Sequence, residues 1–598
     1  MFLFKLERQL KSYSRWNKCY TKEERKMKAK DETIYDNFYS YAINNPKDNA
    51  INYYNRIFSY EKVLKMIDKA AQSLNYLGVE KMDIVTLLLP NIPEAVILFY
   101  ALNKIGAVSN MVHPLSSNEE IKNILKNNES NIIVAVDASY DKLYDITEGT
   151  KVTKIIGVSA ANLLPLLLKI GYKLKMFNKY TIPCKENFIS YKKFLRHKRP
   201  FEYKKYYNVI DKPACILQSG GTTGISKGIV LSNGNFNSLT VQEIIMLKKL
   251  EKGDKILAIM PVFHGFGLAL SVNSMLCLGR EVILVPTFKA SEFANIINKY
   301  KPQMIIGVPT LYEALLQSEV NDLSFVKYAV VGGDSLSKDL ELRINDFFRK
   351  HNSNVEISQG YGMTECLAGA IANFDYHYKT GAIGIPGPGN DVKIVKPFTQ
   401  TEVRNNVDGE ICISAPTVML GYLNNEEETN KVLQVHKDGY TWLHTGDIGY
   451  IDNDGIIFYK QRLKRMIISS GYNVYPQHVE EVIQSHDAVL TCSVVGIPHP
   501  YKVEVPKACI VLKNDVIDNP ILRMNIKKYV ESKLAKFEWP YKYDFRKSLP
   551  KTKMGKIDFK RLQNEEFEEK ERRIIFLFNL SFFNIYIIYI FNNIFCIN

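Results

Sequence analysis

Residues 219–228 read Ser-Gly-Gly-Thr-Thr-Gly-Ile-Ser-Lys-Gly. Glycines in such a run let the backbone adopt positive φ and come close to an anion. Consecutive amides then form a concave site for phosphate oxygens, hydroxyl groups add donors, and a lysine adds positive charge. The stretch therefore predicts a phosphate-binding loop. The residues that carry this prediction are Ser219, Gly220, Gly221, Thr222, Thr223, Gly224 and Lys227.

The loop differs from the two common nucleotide-binding motifs. A Walker A loop needs Gly directly before its Lys and Ser or Thr directly after it, whereas Ser226 precedes Lys227 here and Gly228 follows it. A dinucleotide fingerprint opens a helix with G-x-G-x-x-G, which is absent. Apolar runs at 214–217 and 229–231 flank the loop. We therefore expect it to join two strands.

Six further motifs follow the loop along the chain. They are Tyr361-Gly-Met-Thr-Glu365, Gly421-Tyr422, Thr445-Gly446-Asp447, Arg462-Leu-Lys464, Ser470-Gly-Tyr-Asn-Val-Tyr-Pro476 and Pro550-Lys-Thr-Lys-Met-Gly-Lys556. In this order, they resemble the signatures of the adenylate-forming (AMP-binding) enzyme superfamily. The resemblance of the chain to this superfamily extends from about residue 33 to about residue 562. The form of 470–476 is more similar to the fatty acyl-CoA synthetase branch than to the amino-acid-activating one.

This resemblance implies an ATP-dependent acyl-CoA synthetase. Such an enzyme activates a carboxylic acid, here expected to be a fatty acid, as acyl-AMP with release of pyrophosphate, and then transfers the acyl group to CoA. The implied cofactors and co-substrates are ATP, Mg²⁺ and CoA. Two alternatives stay open: an adenylating ligase that loads a carrier-protein thiol, and a non-catalytic, membrane-attached acyl- or nucleotide-binding protein.

The resemblance also assigns roles to individual residues. Lys556 would bridge the carboxylate and the α-phosphate, Thr364 would contact that phosphate, Glu365 would coordinate Mg²⁺, and His264 would border the acyl pocket. Beyond the loop, the nucleotide would be held by Gly333, Asp334, Tyr361, Gly362, Thr364, Asp447 and Arg462. Lys464 matches the hinge between the two domains. Ser470, Gly471 and Tyr472 match the segment that borders the pantetheine of CoA.

Three positions depart from the family pattern. Gln461 stands where Asp or Gly is usual, Arg465 replaces a frequent Asp beside the hinge, and Val503 replaces a common Gly. None of these changes removes a catalytic group. The first two place the rate of domain alternation in question.

Short apolar runs alternate with helical stretches between residues 30 and 380, which predicts βαβ units with parallel sheets. One such helix is predicted over 91–106, with Asn91 as its cap. We expect an α/β protein: a large N-terminal domain of two α/β lobes plus a small β-subdomain, and a small, mobile α+β C-terminal domain. The expected divisions are 1–30 (basic extension), 31–463 (AMP-binding domain), 464–565 (C-terminal domain) and 566–598 (apolar tail).

The chain has 598 residues, a net charge of +15 and a pI near 9.0. A basic surface suits anionic partners such as ATP and CoA, and no nucleic-acid module is recognisable. The nine cysteines stand singly, without C-x-x-C, which favours a reducing, cytoplasmic compartment. Acyl chain length and oligomeric state are not readable from the sequence.

Two segments raise the question of membrane association. Residues 574–598 lack any charged side chain but contain five asparagines and a serine; a membrane anchor, an interfacial segment and a low-complexity extension remain equal interpretations. Residues 160–176 contain an apolar run rimmed by lysines. A buried helix is the favoured interpretation there, and a basic-rimmed membrane contact is the alternative.

Overall fold

The computed structural model describes residues 15–176, 187–200, 203, 205–219, 226–374, 377–469, 472–499, 501–551 and 557–565. These residues form two compact units. The larger unit contains the described residues up to Thr445 together with Tyr450–Phe458, and the smaller unit contains Gly446–Gly449 and the described residues from Tyr459 onward.

Helices and strands alternate through most of the larger unit. The α-helices are α1 (Lys22–Lys26), α2 (Ile34–Ala42), α3 (Tyr60–Tyr76), α4 (Pro93–Lys104), α5 (Asn118–Asn128), α6 (Leu143–Thr147), α7 (Leu166–Met176), α8 (Tyr191–Phe194), α9 (Asn233–Met246), α10 (Met275–Cys277), α11 (Phe293–Tyr300), α12 (Pro309–Leu316), α13 (Lys338–Lys350), α14 (Glu426–Val432), α15 (Pro476–Gln484) and α16 (Pro520–Lys533).

The strands of the described residues form four sheets. They are β1 (Asn49–Tyr53), β2 (Arg56–Ser59), β3 (Ile84–Leu88), β4 (Val108–Met111), β5 (Ile132–Val136), β6 (Lys154–Val158), β7 (Phe188–Ser190), β8 (Pro213–Gln218), β9 (Gly228–Ser232), β10 (Lys255–Ala258), β11 (Glu281–Leu284), β12 (Met304–Gly307), β13 (Tyr328–Val331), β14 (Ile357–Tyr361), β15 (Ile371–Ala372), β16 (Ile385–Pro386), β17 (Asp391–Val395), β18 (Gly409–Ser414), β19 (Gly421–Tyr422), β20 (Leu433–Val435), β21 (Thr441–Ile451), β22 (Ile457–Arg462), β23 (Ile467–Ser469), β24 (Tyr472–Val474), β25 (Val489–His499), β26 (Val503–Leu512) and β27 (Lys542–Arg546).

The glycine-rich loop lies between two strands, as predicted. The eight-stranded sheet has the order β19-β9-β8-β4-β3-β5-β6-β7 and is parallel from β8 to β7. β8 and β9 are antiparallel neighbours, with Gln218 opposite Gly228. The amide of Ser219 donates to the carbonyl of Lys227 over 2.9 Å, so the two ends of the loop are held together.

A nine-stranded sheet forms the second lobe, in the order β16-β15-β14-β13-β12-β10-β11-β1-β2. The strands from β14 to β1 are parallel, while β15, β16 and β2 are antiparallel to their neighbours. Two predominantly parallel sheets in one unit confirm the prediction of two α/β lobes.

Alternating side chains of these strands enter two different cores. On β10 and β12, Ile256 and Met304 face the core that also contains α2, α3, α4 and α9. Their neighbours Leu257 and Ile305 face the core formed with α11, α12 and α13. α5 and α6 cover the outer face of the first sheet. Because successive strand residues point to opposite faces, each sheet is buried on both sides, which explains its continuous apolar runs.

The remaining two sheets are smaller. β17, β18, β21 and β20 pair in that order, and β22 pairs with β21. This sheet matches the predicted β-subdomain. In the smaller unit, the sheet has the strand order β24-β23-β26-β25, and β27 pairs with β26. α15 and α16 bury Val479, Ile483 and Ile526 against this sheet. The mixture of helices and mainly antiparallel strands gives this unit the predicted α+β character.

The predicted helix over 91–106 is present, but its cap is different. α4 begins at Pro93, and its N-cap is Ile92 without a side-chain hydrogen bond. The Asn91 amide instead donates to the carbonyls of Ala258, Ile259 and Met260 over 3.0–3.3 Å, and its oxygen accepts from the amide of Val262 over 2.8 Å. Asn91 therefore ties the first lobe to the chain that leaves β10.

The favoured interpretation of residues 160–176 as a buried helix is wrong. The helix exists as α7, but its leucines at 166, 167 and 174 are exposed. Ala161 and Leu164, which precede the helix, are buried in the main core, and Ala160, Leu163 and Tyr172 pack against it while partly buried. Among the described residues, we find no helix whose length and apolar character would suit a membrane crossing.

Glu94, in the first turn of α4, is almost completely buried. Burial raises the pKa of its carboxyl to about 8, and Asn162, Lys169 and Arg56 offset only part of this effect. In the unfolded chain an ordinary glutamate titrates near 4.3. The folded protein therefore holds a proton on Glu94 over a pH range in which the unfolded chain has lost it.

We expect the free energy of unfolding to fall as pH rises between about 4.5 and 8, by at most about 1.4 kcal/mol per pH unit from this one group. Glu94→Gln removes the ionisable group, so the variant should be more stable than the parent at pH 8, and this advantage should shrink toward pH 5. Urea titrations at both pH values measure it. Glu61→Gln, at an exposed glutamate, is the control. Identical pH dependence in parent and Glu94→Gln would contradict the prediction.

Candidate active site

Three predicted site segments follow parallel strands of the nine-stranded sheet. Gly332-Gly333-Asp334 follows β13, Tyr361 ends β14, and Pro261–Gly267 lies just beyond β10. Because parallel strands present their carboxyl ends at one edge of a sheet, all three segments lie at the same edge. Ligands of open α/β sheets bind at this edge.

Glycine allows close packing at this edge. A Cβ on Gly332 would lie 3.1 Å from the carbonyl oxygen of Gly360, and Gly333 adopts a φ of +77°. A Cβ on Gly362 would lie 2.3 Å from the carbonyl oxygen of Ala368. Larger residues would press on backbone at Gly332 and Gly362, and they would be strained at Gly333 by its positive φ. Asp334 is exposed at the turn and accepts the amide of Ser335 over 2.9 Å.

Thr364 and Glu365 lie in a single 3₁₀ turn, Thr364–Cys366, after β14. Glu365 is buried, and its Oε1 accepts a hydrogen bond from the hydroxyl of Tyr422 over 2.9 Å. Its carbonyl accepts the amide of Met419 over 2.8 Å. A carboxylate fixed in this way is a hard oxygen donor and fits the ligand preference of Mg²⁺.

Lys227 is brought to the same place from the other sheet. Its ammonium lies over the ring of Tyr422, 4.7 Å from the centroid, and pairs with Glu428 of α14. The Lys227 amide donates to the hydroxyl of Ser219 over 3.2 Å. Tyr422 therefore contacts Lys227 with its ring and Glu365 with its hydroxyl, and it connects two residues that are 138 positions apart.

His264 opens an unusual helical segment. Its carbonyl accepts the amide of Leu268 over 2.8 Å, and residues Phe266–Ser274 form a π-helix. A Cβ on Gly267 would lie 2.1 Å from the carbonyl oxygen of Pro261, so the turn before the helix is tight. The half-buried His264 ring packs against Phe263, with centroids 5.1 Å apart. π-helical turns occur often at functional sites.

Asp447, Arg462 and Lys464 belong to the smaller unit. The Asp447 side chain is buried, and the Nε of Arg462 lies 3.1 Å from its Oδ1. β21 carries Asp447 and β22 ends at Arg462, which places the pair on one β-hairpin. Lys464 follows in an exposed 3₁₀ turn, Leu463–Arg465.

Two of the departures from the family pattern flank this hinge segment. The Arg465 guanidinium lies 2.5 Å from Oε1 of the largely buried Glu480 and 3.6 Å from the ring centroid of Phe559. Burial raises the pKa of Glu480, and Arg465 opposes that rise. Gln461 is fully buried, and its amide makes no hydrogen bond within the described residues. Arg465 therefore attaches the 3₁₀ turn that contains Lys464 to α15.

Several predicted site residues lie outside the described residues. They are Gly220, Gly221, Thr222, Thr223 and Gly224 of the loop, Ser470 and Gly471 of the CoA segment, and Lys556. The backbone of Tyr472 begins β24. The tail at 566–598 also lies outside them, and the departure at Val503 begins β26.

Comparison with known proteins identifies the family. The model of the AMP-binding enzyme family matches residues 38–423, and the model of the AMP-binding enzyme C-terminal domain matches residues 478–556. The chain belongs to the AMP-binding enzyme family. It is 33% identical over 531 residues to a long-chain-fatty-acid–CoA ligase of Bacillus subtilis, covering 88% of this chain and 92% of that protein.

A second curated relative is the probable 4-coumarate–CoA ligase 1 of Dictyostelium discoideum, 31% identical over 518 residues, with 85% of this chain and 90% of that protein covered. These full-length similarities make the chain an AMP-forming acid–CoA ligase.

Solved structures support the fold. ATP-bound MatB from Rhodopseudomonas palustris matches with a TM-score of 0.77 at 23% identity, over 89% of this chain and 98% of that one. The anthranilate–CoA ligase AuaEII in complex with anthranoyl-AMP matches with a TM-score of 0.76 at 23% identity, over 90% and 97%. The family plan of a large N-terminal and a small C-terminal domain is therefore confirmed.

Glu428 is a candidate site residue that the sequence did not reveal. It lies in an acidic run, Glu426 to Glu428, in the first turn of α14. Acidic residues are common there because they interact favourably with the helix dipole. Nothing in that pattern distinguishes Glu428 from its neighbours. Tyr422 belonged to a recognised motif, but the sequence did not indicate that it would join Lys227 to Glu365.

Proposed function

We propose that the protein activates a fatty acid as acyl-AMP and then transfers the acyl group to CoA. The observation that supports this most directly is the grouping of Lys227, Tyr422 and Glu365 at the edge of the two sheets. It combines a cation for phosphate with a fixed carboxylate for a hard metal ion. Adenylation needs both, because charge must be neutralised as pyrophosphate leaves.

In the first half-reaction, a carboxylate oxygen of the acid attacks the α-phosphorus of ATP, and the bond from that phosphorus to the pyrophosphate oxygen breaks. Lys227 and the loop would hold the departing phosphates. Tyr361 and Gly333 would border the adenine, and Thr364 would contact the α-phosphate. Mg²⁺, held by Glu365, would supply charge neutralisation on the phosphate oxygens. Lys556 would bridge the two reacting groups.

In the second half-reaction, the CoA thiol attacks the acyl carbonyl, and AMP leaves with the bonding electron pair. The Ser470, Gly471 and Tyr472 segment would border the pantetheine. Lys464 would act as the hinge between the domain spanning 31–463 and the domain spanning 464–565. Arg465 holds the C-terminal side of this hinge to Glu480, so the smaller unit would turn as one body.

A fatty acid is the acid that we favour. The support is the similarity to a long-chain-fatty-acid–CoA ligase over nearly the whole chain and the apolar π-helix, Phe266–Ser274, beyond His264. An aromatic acid is the second candidate, because probable 4-coumarate–CoA ligases match at nearly the same identity. The free thiols of the described cysteines favour a cytoplasmic location; attachment through the tail stays a prediction from sequence.

An acid panel tests the proposal. Pyrophosphate exchange into ATP should depend on the added carboxylic acid, and CoA should then give a thioester. The panel compares fatty acids of increasing chain length with coumarate and benzoate. Faster exchange with the fatty acids than with the two aromatic acids would support the fatty-acid assignment. The reverse order would move the assignment to aromatic acids. Absence of exchange with every acid would refute acid activation.

Lys556→Ala should suppress acyl-adenylate formation and spare thioester formation from supplied acyl-AMP, because the lysine would serve only one domain orientation. Single-turnover assays of each half-reaction measure the two effects. Lys553→Ala, in the same lysine-rich segment, is the matched control. Equal loss of both half-reactions in Lys556→Ala would refute the domain-alternation account.

Glu428→Gln should strengthen ATP binding by about threefold to fivefold, the scale of one partly exposed ion pair. The reason is that phosphate must compete with Glu428 for the ammonium of Lys227. Calorimetric titration with ATP at low salt measures the change. Glu427→Gln is the control, since Glu427 lies on the same helix and pairs with Lys431. Unchanged or weaker ATP binding would show that Glu428 does not oppose the nucleotide.

Asp447→Ala should weaken AMP binding by about 1.5–3 kcal/mol, the cost of losing a charge-assisted acceptor for the ribose hydroxyls. Asp454→Ala is the control, because Asp454 is an exposed aspartate seven residues further along the chain. Calorimetric titration with AMP measures the AMP affinity of both variants. An unchanged AMP affinity would show that Asp447 only stabilises its own hairpin with Arg462.

A further inference from the structure

α7 presents an apolar surface away from the protein. The exposed fractions are 72% for Leu166, 83% for Leu167, 49% for Ile170 and 74% for Leu174. At 100° per residue these four side chains fall within an arc of about 100°. We call this set the α7 apolar face. Isolated exposed apolar residues are common on proteins, but four aliphatic side chains on one face of a single helix are not accounted for by chance exposure.

The opposite side of the helix is anchored. The hydroxyl of Tyr172 donates to Oδ1 of Asp137 over 2.9 Å, and Tyr172 also packs against the main core. At the edge of the α7 apolar face, the ammonium of Lys169 donates to the carbonyl of Asn162 over 3.0 Å. Leu164, just before the helix, is buried in the same core. The apolar face is therefore held outward by definite contacts.

The β1–β2 hairpin extends this surface. The guanidinium of Arg56 donates to the carbonyls of Leu163 and Leu164 over 3.3 and 3.5 Å, so the hairpin contacts the segment that leads into α7. Tyr54 and Ile57 of the same hairpin are also exposed. The hairpin thus brings the positive charge of Arg56 to the segment that leads into α7.

Basic side chains lie beside the α7 apolar face. Arg56 of the β1–β2 hairpin contacts the carbonyls of Leu163 and Leu164, which lead into α7. On α7 itself, Lys169 and Lys173 are one turn apart, beside the apolar face. A helix with an apolar face and a cationic flank is suited to lie in the plane of an anionic membrane, with its leucines among the acyl chains and its lysines at the headgroups.

We propose that the α7 apolar face, with the β1–β2 hairpin, binds the enzyme to the surface of an anionic lipid bilayer. The charge complementarity selects this partner over a second copy of the chain, because two copies would bring the same excess of positive charge together. The surface contains none of the residues assigned to the reaction. The proposal therefore stands apart from the identity of the acid, although a membrane surface would also be a source of fatty acids.

The test is co-sedimentation of the full chain with lipid vesicles at 0.1 M salt. We expect stronger binding to vesicles of phosphatidylcholine with 30% phosphatidylserine than to phosphatidylcholine alone. Leu167→Glu/Leu174→Glu should lower the partition coefficient at least about tenfold, since each change places a charge where a leucine would be buried. The matched control is Leu342→Glu/Leu490→Glu, at leucines that are 55% and 57% exposed on α13 and β25. Activity on a short, water-soluble acid should be unchanged in both variants.

Two further measurements make the outcome decisive. Lys173→Glu should weaken binding to the anionic vesicles and leave binding to phosphatidylcholine vesicles unchanged. Salt at 0.5 M should reduce the difference in binding between the two vesicle types, because it shortens the electrostatic screening length. Leu167→Trp should show a blue shift of tryptophan emission on the anionic vesicles.

Three results would overturn the proposal: no binding of the parent to either vesicle, binding of Leu167→Glu/Leu174→Glu equal to that of the parent, or a change in sedimentation coefficient without a change in vesicle binding. The last would assign the face to a second copy of the chain.

Discussion

The parallel pairing of β10, β12, β13 and β14 is the constraint on which the candidate site depends. Because these strands run in one direction, every chain segment that leaves them emerges at the same edge of the sheet. The His264 turn, the Gly333 turn and the Tyr361 to Glu365 segment are thereby gathered, although they span about 100 residues of sequence. Antiparallel pairing of any one of these strands would send its segment to the opposite edge.

Tyr422 connects this edge to the other sheet. It lies on β19, which pairs with β9 directly after the glycine-rich loop. Its ring accepts the ammonium of Lys227, and its hydroxyl donates to Glu365. One aromatic side chain therefore contacts both the lysine of one lobe and the carboxylate of the other. Glu428 neutralises the charge of Lys227 at the same place by pairing with it.

Burial separates the two kinds of apolar segment in this chain. α4 is apolar on nearly every side and is enclosed by both sheets, where even Glu94 is kept protonated to near pH 8. α7 contains five leucine and isoleucine residues in 11, against three in 12 for α4, yet most of its described side chains are exposed. Composition alone does not distinguish these two situations. What decides is whether neighbouring elements remain to cover the helix.

The sequence by itself determined the fold class, the strand–loop–strand setting of 219–228 and the family, because glycine, phosphate-contacting side chains and apolar periodicity are local properties of the chain. The tertiary structure decided what depends on distant contacts. Asn91 binds the chain after β10 and does not cap α4, Glu428 pairs with Lys227 across 201 positions, Arg465 holds Glu480, and α7 is exposed. No local pattern specifies such pairings, since each arises only when the packing of whole sheets and helices brings remote side chains within a few ångströms of one another.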